Sequence, residues 1–248
     1  MDIYGLGHTR SAHEHDHLLL TPDSFVRSPL PGMKNATAVI HVGPAVGAGF
    51  TQYTAEMENG GTLGMVPAFT QRFLYVVEGA VHVDASGKDH PLLMGGYAYL
   101  PAGTAHSVKA AKKSRVAVIE KIYKAAGGAA IAEIVIGKEQ NAAPTSLLGD
   151  EWVQVRALLP DSPSIDFAVN MMEYQPGAGL SQVEIHVMEH GLLMLEGGGV
   201  YRLGDKWYPV QKGDFIWMAP YCPQWFCAVG KTPAKYLIYK DWNRHPLA

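Results

Sequence analysis

The chain contains two copies of one pattern. The segment YVVEGAVHVDASGKDHPLLMGGYAYLPAGTAHSV, beginning at Tyr75, lies over LMLEGGGVYRLGDKWYPVQKGDFIWMAPYCPQWF, beginning at Leu193. Glu78 and Gly79 fall on Glu196 and Gly197, Gly95 on Gly213, and His106 on Gln224, all at one offset of 118 residues and without a gap. A register held over that length predicts two copies of one structural unit. The unit is a β unit. RFLYVVEG (72–79), YAYLPAG (97–103), RVAVIEKIY (115–123), GLLMLEGG (191–198), DFIWMAP (214–220) and AKYLIYK (234–240) are β-branched and aromatic runs bounded by Gly, Pro and Asp. Helical periodicity is scarce, and the small-residue-rich stretch 125–152 reads as the connection between the copies.

Bulk properties exclude several classes of function. Hydrophobic residues make up 48% of the 248 and charged residues only 17%, so a folded core is expected. A net charge of −3 gives no electrostatic basis for binding nucleic acid or an anionic membrane. No apolar run approaches the roughly 18–20 residues of a membrane span, and MDIYGLGHTRSAHEHDH lacks the apolar centre of a secretory leader. Two cysteines, Cys222 and Cys227, are too few for a disulfide framework, and a reduced, cytoplasmic setting is expected.

One stretch departs from ordinary strand chemistry. VEIHVMEHG (183–191) alternates like a strand, yet Glu184, His186 and His190 share one parity among apolar neighbours. Gln224, after DFIWMAP, can meet them inside a barrel. Two imidazoles, a carboxylate and an amide oxygen suit Mn, Fe, Ni, Co or Zn in a site with positions left open for chemistry. At the same offset the first copy holds Val66, Ala68 and Arg72, so only His106 remains there and that half is expected to be metal-free.

GGYAYLPAGTAH and GAGLSQVEIHVMEHGLLMLEG resemble, respectively, the second motif and an altered first motif of the cupin superfamily. The resemblance implies an all-β bicupin of two tandem jelly-roll barrels. Residues 1–135 would form an arm and a metal-free barrel, and residues 136–248 a metal-binding barrel. The order Glu-x-His-x-x-x-His-Gly, a Gln as last ligand and the tail YLIYKDWNR further resemble the (S)-ureidoglycine aminohydrolases of allantoin degradation. That resemblance implies Mn²⁺ on Glu184, His186, His190 and Gln224. It also implies a substrate held by Tyr201, Tyr236, Lys240 and Glu184, with Glu184, Tyr236 and Lys240 as the catalytic candidates. A small ureido amino acid is the expected partner, in a homo-oligomer. Two other functions compete: an Fe(II) dioxygenase, and a non-catalytic bicupin that binds a small carboxylate. The tract with His8, His13, His15 and His17 is expected to be a flexible or oligomer-packing arm.

Overall fold

The structure, a computed structural model, describes residues 8–130 and 132–245 and is built almost wholly of antiparallel strands. The repeat is visible in the strand limits. Ala80–Ala85 matches Gly198–Leu203, Lys88–Leu93 matches Lys206–Gln211, and His106–Ala110 matches Gln224–Ala228, each at the sequence offset. The first half forms a ten-stranded sheet that curls into a barrel. The second half divides the same arrangement between an eight-stranded and a three-stranded sheet.

The repeated glycines have a steric cause. Gly79 and Gly197 both take positive φ, at 89° and 61°, and a Cβ there would lie within 2.3 Å of Ser114 Oγ or of Pro233 O respectively. Only glycine reaches this backbone geometry without strain. The tight corner after each long barrel strand therefore recurs with the repeat.

The halves exchange edge strands. Val135–Lys138, from the connection, pairs with Gly96–Leu100 of the first barrel. His17–Leu20, from the N-terminal arm, pairs with Phe215–Met218 of the second barrel. The arm is thus a docked strand over residues 17–20, not a flexible tail. Leu19 is fully buried, and His17 links Asp16 Oδ1 and the Tyr208 hydroxyl, each at 2.8 Å. The part of the arm before residue 8 lies outside the described residues.

Alternation along the strands sorts side chains into three cores. In Phe167–Tyr174, Phe167, Val169 and Met171 face a seam between the barrels, while Met172 and Tyr174 face the interior of the second barrel. Leu237 and Tyr239 join the seam, and Tyr236 and Ile238 the interior. Phe50 from the first half stacks on Tyr239 from the second, with centroids 3.9 Å apart. Burying each such side chain is worth roughly 1.5–3 kcal/mol, so the seam makes the two barrels one mechanical unit. Strands buried on both faces explain why these stretches read as near-continuous apolar runs.

Candidate active site

The second barrel opens on a cavity of about 340 Å³. Glu184, His186, His190, Tyr201, Gln224, Tyr236 and Lys240 all line it. The route that brings them there differs from the expected strand over 183–191. Within this stretch regular structure begins at His190, and over residues 183–189 only Glu184 is bridged, by a pair of backbone hydrogen bonds with Gln224 at 2.8 and 2.9 Å. The Tyr221 N–H donates to His186 O at 2.8 Å. Val183 and Ile185 project outward, 36% and 61% exposed. The segment crosses the barrel mouth hung on residues 221–224, and that attachment, not strand parity, aims Glu184 and His186 inward.

His190 is buried and its Nδ1–H donates to Tyr239 O at 3.1 Å, leaving a lone pair on Nε2. That atom lies 3.2 Å from His186 Nε2, and the Gln224 carboxamide nitrogen stands 2.7 Å from the same His186 nitrogen. The lone pair of His190 Nε2, held this close to a second imidazole nitrogen, is stabilised by a shared proton or by a shared cation. The spacing is close to that of two ligands set at a right angle around one ion, each roughly 2.1 Å from it. Burial, with His186 adding to it, pushes the His190 imidazolium down to about 3, so the ring stays neutral and able to ligate. Two imidazoles, a carboxylate and an amide thus form a donor set that fits a divalent transition ion.

The remaining walls supply donors. Burial raises the Tyr201 and Tyr236 hydroxyls far above their ordinary range, so both remain O–H donors. Tyr236 shares a 2.9 Å hydrogen bond with Tyr174. The Lys240 ammonium sits 4.1 Å above the Trp242 ring, and burial lowers its pKa against the opposing pull of Asp161 and Glu184. Phe226 packs edge-on against Tyr174 and Tyr236, Trp225 donates to Leu180 O, and Trp217 lies in the seam between the barrels.

Two residues escaped the sequence analysis. Glu189 is buried, and its carboxylate accepts from Gly49 N at 2.9 Å and from Trp217 Nε1 at 3.0 Å, tying the start of the His190 strand to the first barrel. Its place beside the ligand run was visible, but its partners are remote in sequence. Asn170 lines the cavity from Phe167–Tyr174, and the parity of FAVNMMEY would have shown it facing inward. Asp16, His17 and Cys222 also converge, within 4.8 Å. Both ring nitrogens of His17 are already engaged there, which makes the cluster an anchor for the arm.

In the first barrel Arg72 stands where His190 stands in the second. It binds Glu120 Oε1 through Nη2 and Nε at 2.7 and 2.9 Å, and His106 Nε2 through Nη1 at 3.1 Å. Paired strands set Glu120 opposite Arg72 and Lys240 opposite His190.

Sequence comparisons agree with this architecture. An EutQ-like cupin domain model matches residues 46–123, and a cupin domain model matches residues 170–239. The (S)-ureidoglycine aminohydrolase of Arabidopsis thaliana is 43% identical over 242 residues, covering 97% of this chain and 80% of that protein. The chain belongs to the (S)-ureidoglycine aminohydrolase family. The member of that family from Escherichia coli (strain K12) is 36% identical, across 91% of this chain and 88% of its own length. The crystal structure of protein Ylba from E. coli superposes with a TM-score of 0.86 at 31% identity, covering 98% of both chains. The two cupin domains make the chain a bicupin, as its repeat implied. Among the described residues no helix is long and apolar enough to cross a membrane.

Proposed function

We propose that the chain hydrolyses (S)-ureidoglycine to (S)-ureidoglycolate and ammonia in allantoin catabolism. The observation that carries this is the convergence, in one small cavity, of a two-imidazole, carboxylate and amide donor set with an ammonium and two phenols. The names of the curated relatives support it and do not favour a dioxygenase or a non-catalytic binder.

Glu184, His186, His190 and Gln224 would hold the divalent ion, Mn²⁺ in this proposal. When bound, the ion supplies Lewis acidity and a fixed orientation for substrate atoms. The rest of the chemistry falls to side chains. The substrate carbon carries an amine, a ureido nitrogen and a carboxylate. The ureido nitrogen lone pair expels the protonated amine as ammonia and leaves an N-acyliminium ion. Water then adds to one face and loses a proton, forming the carbon–oxygen bond of ureidoglycolate. Lys240 pairs with the carboxylate as a charge-assisted donor, and its lowered pKa suits it to deliver the proton that the departing amine needs. Tyr201 and Tyr236 donate to substrate oxygens and hold the carbon in one orientation, so that one face meets water. Glu184 faces the same space and is the candidate acceptor for the proton of the attacking water.

The first barrel, with Arg72 committed to Glu120, acts as a metal-free scaffold in this proposal. The assembly would be a homo-oligomer in the cytoplasm, where the unpaired Cys222 and Cys227 remain reduced. The test is ammonia release from freshly prepared (S)-ureidoglycine alongside bound-metal analysis, for the wild type and His190→Ala. Loss of both in the variant is expected. Full activity in a metal-free variant would overturn the assignment.

A further inference from the structure

Three neighbouring strands line one wall of the cavity, and their inward residues form rows. His190 lies opposite Lys240, and Lys240 opposite Ala168; next come Leu192, Ile238 and Asn170, then Met194, Tyr236 and Met172. The middle row is apolar except for Asn170. Around this side chain the wall continues with Val155, Met172 and Ile238. The Asn170 carboxamide is half-buried, faces the cavity and has no hydrogen-bond partner among the described residues. An amide in that setting gives up part of its solvation and gains no hydrogen bond within the fold. An apolar residue of the same shape would fill the space at no cost. Such a residue is expected where the missing partner is a ligand.

We propose that Asn170 is the recognition residue for the terminal ureido group of the substrate. The inference rests on the functional assignment above and adds the subsite for one end of the molecule. Asn170 sits one row from Lys240 and one row from Tyr236 on the adjacent strand, diagonal to both. Diagonal neighbours across a sheet are about 7–8 Å apart, a span that a small molecule anchored by its carboxylate on Lys240 can bridge. The chemistry matches as well. A carboxamide presents one acceptor oxygen and an NH₂ donor in one plane, and a ureido terminus presents an NH₂ donor and a carbonyl oxygen in one plane. The two pair at two points. A carboxylate or an ammonium group would be served better by a charged partner, and the cavity already places Lys240 and Glu184 for those.

The test compares (S)-ureidoglycine with its acetamido analogue, in which the terminal NH₂ is replaced by CH₃, on the wild type and Asn170→Leu. The variant should lower kcat/KM for ureidoglycine by about 10- to 100-fold, mostly through KM, and collapse the wild-type preference for the ureido over the acetamido substrate. Bound metal per chain should not change, and the melting temperature should stay equal or rise. A purely structural asparagine would instead lower the melting temperature and leave the substrate preference intact, which would overturn the proposal. Should Asn170→Leu fail to fold, Asn170→Ala puts the same question to the substrate ratio. A wild type that turns over the acetamido analogue as well as ureidoglycine also overturns it. A wild type that releases no ammonia from ureidoglycine removes the functional assignment itself, and this subsite with it.

Discussion

Glu120→Gln tests the division of labour between the barrels. Arg72 is 3% exposed, and its guanidinium donates to Glu120 Oε1, to His106 Nε2 and to Gly64 O. Glu120 also accepts from the Tyr53 hydroxyl at 2.8 Å. The amide keeps the size and an acceptor oxygen but removes the only counter-charge that touches Arg72 among the described residues. Breaking a fully buried ion pair by deleting one partner costs roughly 3–5 kcal/mol. The Glu120 side chain is 20% exposed, so solvent screens part of that, and about 2–3 kcal/mol is expected. For a chain of this size each kcal/mol moves the melting temperature by about 2–4 °C, giving a fall of roughly 4–12 °C by differential scanning calorimetry. Bound metal per chain and kcat at 25 °C should not change, because the ligand set belongs to the other barrel. The double replacement Arg72→Met with Glu120→Leu should recover most of the loss, since removing both charges leaves neither stranded. A shift below about 1 °C, or a loss of metal in step with the loss of stability, would refute the view of the first barrel as a scaffold held by this pair.

Other outcomes follow from the same geometry. His186→Ala should weaken metal binding at least about tenfold by equilibrium dialysis, since it removes one of two converging imidazoles. Lys240→Met should lower kcat/KM for ureidoglycine by about 10- to 100-fold while metal content stays constant, as loss of a charge-assisted hydrogen bond predicts. His41 is buried, stacked on Phe215 and bonded to Thr54 Oγ1, and burial pushes its pKa down to about 3. The unfolded chain therefore binds this proton first. The stability contributed by neutral His41 is present above about pH 6.5 and drains away as the pH falls towards 3, so His41→Phe should move the acid-unfolding midpoint to lower pH. Gly197→Ala should cost about 1–3 kcal/mol in urea denaturation, because its Cβ would meet Pro233 O at 2.3 Å on a backbone with positive φ.

The parts of this molecule that local chemistry determines could be read from the chain, and the parts that depend on remote partners could not. The repeat offset reappears in the strand limits because strand length and the glycine corners at 79 and 197 are set within a few residues. HLLL at 17–20 is a short apolar run without alternation, and its partner lies near residue 216, so the histidines around it suggest a loose arm where a docked edge strand exists. The same distinction governs the site. Glu184, His186 and His190 were identifiable because their residue types are chemically unusual between apolar neighbours. Strand parity predicts their convergence, whereas the backbone of 221–224 enforces it from some forty residues away. Asn170 is the intermediate case. Its inward orientation follows from two-residue alternation, but its isolation becomes apparent only when Ile238 stands opposite it and Met172 beside it in the assembled wall. A polar side chain in an apolar row is recognisable as a cost only once the row exists. For that reason the proposed recognition residue for the ureido end is found in the assembled wall and the candidate metal ligands in the primary sequence.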